Sequence, residues 1–156
     1  MDRIDKKILN TLQDNGKITN SKLSKIVGIS APATLERVKR LELSGKISHF
    51  TAVVDPEKIG FSIMAFVSIT LSLSELASVA RIKARFAELE EVIECYQIAG
   101  ANDFILKVIA RDIKSYGEFM NSKLTQIEGI QKIQSSFVID NIKEKKKLTL
   151  DPEEDY

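Results

Sequence analysis

The apolar residues of this 156-residue chain keep two different periods, and the switch between them limits the folds open to it. Up to Leu41 they recur every three or four residues, the spacing of helices with one buried face. From Met64 onward, alternating stretches that suit half-buried strands take turns with helical ones. A short helical unit followed by an α+β unit is the organisation these periods predict.

The first period resolves into three helices. Ile4, Ile8, Leu9 and Leu12 form one stripe over Asp2 to Asp14, and Asn15-Gly16 stops it. A second helix covers Asn20 to Val27 with Leu23, Ile26 and Val27 inward and Thr19 or Asn20 as N-cap. Gly28 supplies a tight turn. Ser30 then caps a third helix, so Pro32 falls in the first turn, where a missing N–H has no helical partner to lose. Leu35, Val38 and Leu41 are placed inside, and Ser44-Gly45 ends the helix. Lys46 to Val54 is rich in β-formers and reads as one or two strands, with turns at Asp55-Pro56 and Gly60.

The second period reads β, α, β, β, α, β. Strands are predicted over Met64 to Ser72, Val92 to Ala99, Asp103 to Ala110 and Ile130 to Ile139. The first helix, from a Ser74 N-cap to Leu89, turns Leu76, Val79, Ile82, Phe86 and Leu89 inward; the second, Asp112 to Gln126, buries Ile113, Tyr116, Phe119, Met120 and Leu124. The order is that of a ferredoxin-like sandwich, four strands with two helices on one face, which by itself specifies no function. The predicted divisions are 1–45, a connecting segment 46–62, 63–142, and a tail 143–156. The tail lysines (Lys143, Lys145, Lys146, Lys147) read better as a solvated face or edge strand than as DNA contacts.

Charge is uneven along this frame. Residues 1–50 hold 10 Lys and Arg against 5 Asp and Glu, whereas residues 51–142 hold 9 against 12. A basic first third is expected to meet a polyanion. No apolar run is long enough to span a bilayer, and MDRIDKKIL lacks a signal-peptide pattern. The single cysteine excludes an intrachain disulfide and fits a reducing cytoplasm; on its predicted strand Cys95 reads as a small core residue. His49 is the only histidine, no cluster has metal-ligand spacing, and no GxSxG, P-loop or GxGxxG occurs. Glu90, Glu91 and Glu94 read as a solvated edge. No catalytic residue, metal or cofactor is expected, and an enzyme on a ferredoxin-like fold is the weakest reading.

Two helices joined by a glycine turn inside a basic three-helix unit describe a helix-turn-helix, whose second helix enters the major groove. At about 100° per residue, Pro32, Ala33, Glu36, Arg37 and Arg40 project outward, with Lys39 at one edge. Small residues at the tip, Ser30, Ala31, Pro32 and Ala33, permit close approach. Arg37 can reach guanine edges or phosphates, and Lys39 and Arg40 phosphates. Glu36 either accepts from cytosine N4 or pairs with Arg40 one turn on. Ser21 and Lys22 open the preceding helix, whose N-terminus suits a phosphate oxygen.

The run DRIDKKILNTLQDNGKITNSKLSKIVGIS, then LERVKRLE and GKI, closely resembles the N-terminal domain of the leucine-responsive regulatory protein/AsnC family, the feast/famine transcription regulators. The resemblance continues in LEEVIECYQIAGANDFILKV and IEGIQKIQSSFVI and covers nearly the whole chain. It implies a winged-type helix-turn-helix spanning Ser21 to Arg40, a connecting strand, and a ferredoxin-like (RAM-type) effector domain. It further implies a cytoplasmic, nucleoid-associated protein that binds double-stranded DNA. Dimers formed through the sheets would assemble into rings, often octamers, and bind an amino-acid effector between dimers. The family's effector loop reads Gly-Asp-aromatic-Asp-aromatic. Gly100, Asp103 and Phe104 match it, whereas Ala101 and Asn102 depart, removing one acceptor for an ammonium and adding an amide. Gly100 to Asn102 also read as a plain β-turn. Ser135 and Ser136 stand where the family carries hydroxyls near the pocket. The competing readings are an architectural protein that wraps DNA without an amino-acid response, and an amino-acid sensor that does not touch DNA.

Overall fold

The computed structural model describes residues 1–72, 79–144 and 147–154. The chain divides into two compact units, Met1–Val53 with Lys143–Tyr156, and Val54–Ile142.

The first unit holds α1 (Arg3–Asp14), α2 (Asn20–Val27) and α3 (Ala31–Leu43). Its core is Ile8, Leu9, Leu23, Val27 and Leu41, with Val38, Ile47 and Leu150 packed against it. Two inward assignments fail. Ile26 is 56% exposed and Leu35 46%, while Ser24 and Thr34 take the buried positions. Small side chains let α2 and α3 approach closely. Their hydroxyls are satisfied locally, Ser24 Oγ donating to Ser21 O (2.9 Å) and Thr34 Oγ1 to Ser30 O (3.0 Å), so burial strands no polar group.

The β-rich segment 46–54 forms no strand. A strand exists only where its N–H and C=O groups meet a neighbouring chain segment, and within one chain these residues are given none. Phe50, Val53 and Val54 remain exposed along it.

The second unit is the predicted sandwich. After a short 3-10 turn at Glu57–Ile59 come β1 (Ile63–Leu71), α4 (Val79–Ala87), β2 (Val92–Gln97), β3 (Phe104–Ala110), α5 (Ile113–Ser122), a 3-10 turn at Leu124–Gln126, and β4 (Ile130–Phe137). The strand order is β2-β3-β1-β4 and every neighbouring pair is antiparallel. Alternation does the sorting. Ala65, Val67, Ile69 and Leu71 of β1 and Phe104, Leu106, Val108 and Ala110 of β3 point to one face, where Ile82, Phe86, Tyr116 and Phe119 cover them. Ser74 and Leu76 lie outside the described residues. Ile113, expected inside, is 61% exposed: at the first helical position after the Asp112 N-cap it lies off the stripe carried by Tyr116 and Phe119. Cys95 is exposed, not core, because β2 is an edge strand.

Phe86 and Phe104 meet edge to face at 5.3 Å, each 1% exposed, and join α4 to the sheet. Phe86→Ala is expected to destabilise the second unit by about 3–5 kcal/mol. Hydrogen exchange at the β1 and β3 amides should report the loss, with α1 protection unchanged.

Candidate nucleic-acid interface and effector loop

Three local devices shape the turn between α2 and α3. Thr19 Oγ1 accepts the Lys22 N–H (3.3 Å) and so caps α2. Gly28 closes it in the left-handed region (φ +78°), where a side chain would be strained, and the N–H groups of Gly28 and Ile29 both reach Ser24 O. Ser30 Oγ accepts from Ala33 N–H (3.4 Å), with Pro32 inside the first turn as expected. A fourth device is not legible in the pattern: Asn20 Nδ2 donates to Ala31 O at 2.7 Å and latches the start of α2 to the start of α3.

Ser21 and Lys22 are exposed on the first turn of α2, and Lys25, which pattern reasoning passed over, is exposed on its last. Ser30, Pro32, Ala33, Glu36, Lys39 and Arg40 are exposed on α3, and Ala31 is half-buried. Leu35 joins this outward set. Arg37 does not project freely. Its Nη1 bonds Asp2 Oδ2 at 2.5 Å and Asp5 Oδ1 at 2.8 Å, and its side chain is 25% exposed. Arg40 Nη2 bonds both oxygens of Asp5, at 3.1 and 3.0 Å, so it turns to α1 rather than to Glu36. Pro32, Ala33, Leu35 and Glu36 therefore lead the outward face, with Lys39 further along. Asp2 also caps α1, accepting the Asp5 N–H at 2.8 Å. That bond first, and Arg37 second, hold its carboxyl below the usual carboxylate range.

At the other candidate site, Gly100 adopts φ +151°, a conformation that favours glycine, with nothing within 4 Å of a Cβ built there. Asp103 is occupied structurally. Its N–H donates to Ile69 O (2.8 Å), its C=O accepts from Ile98 N–H (2.9 Å), and its carboxylate accepts the Leu71 N–H (2.7 Å). Thr70 Oγ1 donates to Asn102 Oδ1 at 3.3 Å. Phe104 belongs to the core, while Gly100 and Ala101 are exposed. The two serines separate. Tyr116 Oη donates to Ser135 Oγ (2.5 Å) on the helix-covered face, and Ser136, next along the strand, faces the other way. Both pair with β1 at Val67 and Phe66, whereas the loop meets β1 at Ile69 to Leu71. One chain therefore gathers Gly100 to Phe104 and leaves the serines apart from them.

Opposite the helices, the sheet presents Phe66 (41% exposed) and Tyr96 (54%) around the Lys107–Glu94 ion pair (3.0 Å). Among the described residues no group of three His, Cys, Asp or Glu is placed to hold a metal, and no helix is long and apolar enough to cross a membrane.

Residues 64–148 match the family described as the Lrp/AsnC ligand binding domain, and residues 1–48 a winged helix-turn-helix DNA-binding family. Leucine-responsive regulatory proteins of Salmonella typhimurium and Escherichia coli (strain K12) are each 35% identical over 150 residues, covering 96% of this chain and 92% of theirs. Among solved structures, a Neisseria meningitidis transcriptional regulator in complex with L-Met is 31% identical, with TM-score 0.90 over 95% of this chain and 96% of that one. An AsnC family transcriptional regulator from Agrobacterium tumefaciens is 32% identical, with TM-score 0.89 over the same shares. Escherichia coli AsnC is 27% identical, with TM-score 0.84 over 93% of this chain and 96% of that one.

Because the folded Asp2 carboxyl titrates below its unfolded value, its contribution to stability is present above about pH 4 and lost as pH falls through the folded value. Asp2→Asn keeps a capping side chain but removes the charge. Thermal melts of the variant are expected to show a shallower loss of stability below about pH 4 than the natural protein.

Proposed function

The chain belongs to the Lrp/AsnC family of transcription regulators, and from that premise we propose that it binds operator DNA sequence-specifically through α2 and α3 under the control of an amino-acid effector. The observation that carries this reading is the outward surface of α3. A capped first turn of small residues leads it, and Lys22, Lys25 and Lys39 stand exposed on the same pair of helices.

In this reading Ser30, Ala31, Pro32, Ala33 and Glu36 approach base edges, and Leu35 adds an apolar contact suited to a thymine methyl. Lys39 and Arg40 contact phosphates, as do Ser21 and Lys22 at the α2 N-terminus. Arg37 serves DNA binding by fixing α3 to α1. The separation of Ser136 from the Gly100–Phe104 loop supports an effector pocket completed by another copy of the chain. The exposed Phe66 and Tyr96 support a dimer joined through the sheets, from which larger rings are built. L-Met is bound by one similar structure and leucine names the curated relatives, so an amino acid is the proposed effector class. The proposed setting is cytoplasmic and nucleoid-associated. The relatives are transcription regulators, and we assign no catalytic role.

One observation favours a second reading. With Arg37 drawn to Asp2 and Asp5, the leading turn of α3 carries no arginine for guanine. That suits an architectural protein that wraps DNA by phosphate contact and deformability.

A gel shift across a salt series tests both. Lys39→Ala is expected to weaken binding to all sequences alike and to lower the salt slope by about one. Glu36→Gln is expected to alter base preference; no change in preference, with a footprint far longer than two half-sites, would select the architectural reading. Melting with each of the twenty amino acids tests the effector, since a ligand at about 100 times its Kd stabilises by roughly 2.7 kcal/mol. Absence of any shift would remove amino-acid control from the proposal.

A further inference from the structure

We propose that residues 147–154 are a working part of the DNA-binding unit: a strap laid along α1 that holds this helix where Asp2 and Asp5 can hold α3. The sequence reads the tail as a solvated face or an edge strand. Instead, its described part runs antiparallel to α1 in ordered steps. Lys147 Nζ meets Asp14 at 2.5 Å, Leu148 meets Gln13, Leu150 meets Asn10, Pro152 O accepts from Lys6 Nζ at 3.5 Å, and Glu153 meets Arg3 at 3.0 Å.

The pitch explains the fit. An extended chain advances about 6.6 Å every two residues, close to the roughly 5.4 Å of one helical turn. Alternate tail residues therefore meet successive turns of one α1 face. The two carboxamides act as a neighbouring strand would. Gln13 Nε2 donates to Leu148 O (2.9 Å) while its Oε1 accepts the Leu148 N–H (2.8 Å). Asn10 does the same for Leu150, at 2.7 and 3.0 Å. A tail collapsed at random would not place donor and acceptor of the same residue opposite donor and acceptor of one side chain, twice. Leu150 adds packing on the unit's core, and Lys6 beneath the strap is 1% exposed.

The line of force then runs from strap to α1, and from Asp2 and Asp5 at the head of α1 to Arg37 and Arg40 on α3. Asn10 and Gln13 are positioning residues in this scheme. Its consequence for DNA affinity rests on the function proposed above; its consequence for α1 does not.

The test compares the full chain with a chain ending at Glu144 and with the double variant Asn10→Ala, Gln13→Ala. Hydrogen exchange of the Ile8 and Leu9 amides is the first readout and DNA affinity the second. Both altered chains should lose about ten-fold or more of α1 protection, with β1 and β3 unchanged as the internal control of folding. DNA affinity should drop several-fold in parallel. A synthetic peptide of residues 145–156 should restore both properties to the shortened chain. Unchanged α1 protection in the shortened chain would overturn the strap. Lost protection with full DNA affinity would overturn its positioning role. A full chain that binds no DNA would overturn the proposed function instead, leaving the exchange readout to decide the strap.

Discussion

Asp5 lies nearly out of water between two guanidinium groups, and the first unit is arranged around it. A carboxylate at such a depth costs several kcal/mol unless charge and hydrogen bonds compensate it. Arg37 and Arg40 come from successive turns of α3, so both converge on the same side of α1. Asp2 completes the cluster and, in the same position, caps α1. These four groups together hold α3 against α1, and the outward surface of α3 follows from that placement. The leucine that the spacing assigns to the core is turned out, a threonine takes its place, and Arg37, the arginine placed to reach guanine, is drawn sideways to Asp2 and Asp5.

The charge distribution acquires a different meaning in this light. Counted by formula, the first fifty residues carry a strong positive excess. Part of it is neutralised internally, since Arg37 is held by two carboxylates and Arg40 by one. Arg40 stays exposed but paired, and the exposed cations of α2 and α3 outside this cluster are Lys22, Lys25 and Lys39, which act as point charges on phosphate rather than as planar forks on a base. In the function proposed, affinity then comes mostly from the backbone of the DNA, and discrimination from close apolar and polar approach at the tip of α3. This division makes the operator and the wrapping readings neighbours rather than opposites.

What the sequence disclosed, and what it concealed, divides by range. Caps and turns are local, and Ser30, Gly28 and Pro32 sit in the structure where residue chemistry places them. The βαββαβ order survives because each element keeps its own period. Leu35 and Thr34 were exchanged because apolar spacing favours leucine, whereas helix–helix approach favours a small residue whose hydroxyl is satisfied by its own helix. Segment 46–54 has the composition of a strand and no partner within one chain, and no local pattern supplies a partner. The acid–arginine cluster joins residues 32 to 35 apart, and the strap joins residues 133 to 150 apart. Neither leaves a periodic trace. The loop at Gly100 was found through its residues, but the use of Asp103 to hold the end of β1 was visible only in three dimensions.

The sheet topology limits how an effector can reach the DNA-binding unit. The connecting segment enters β1 at Ile63, and the chain leaves β4 at Phe137. Ala65 pairs with Phe137, and Val138 N–H donates to Met64 O at 2.8 Å, so both covalent connections depart from the same end of two adjacent strands. The Gly100–Phe104 loop meets the opposite end of β1, where Asp103 holds Leu71 and Asn102 holds Thr70. β1 is nine residues long, buried along one face and hydrogen-bonded on both sides, which makes it a poor hinge and a good rod. In the function proposed, a ligand at the loop would therefore act either by shifting β1 as a body, and with it the connecting segment that enters at Ile63, or by changing how copies of the chain meet.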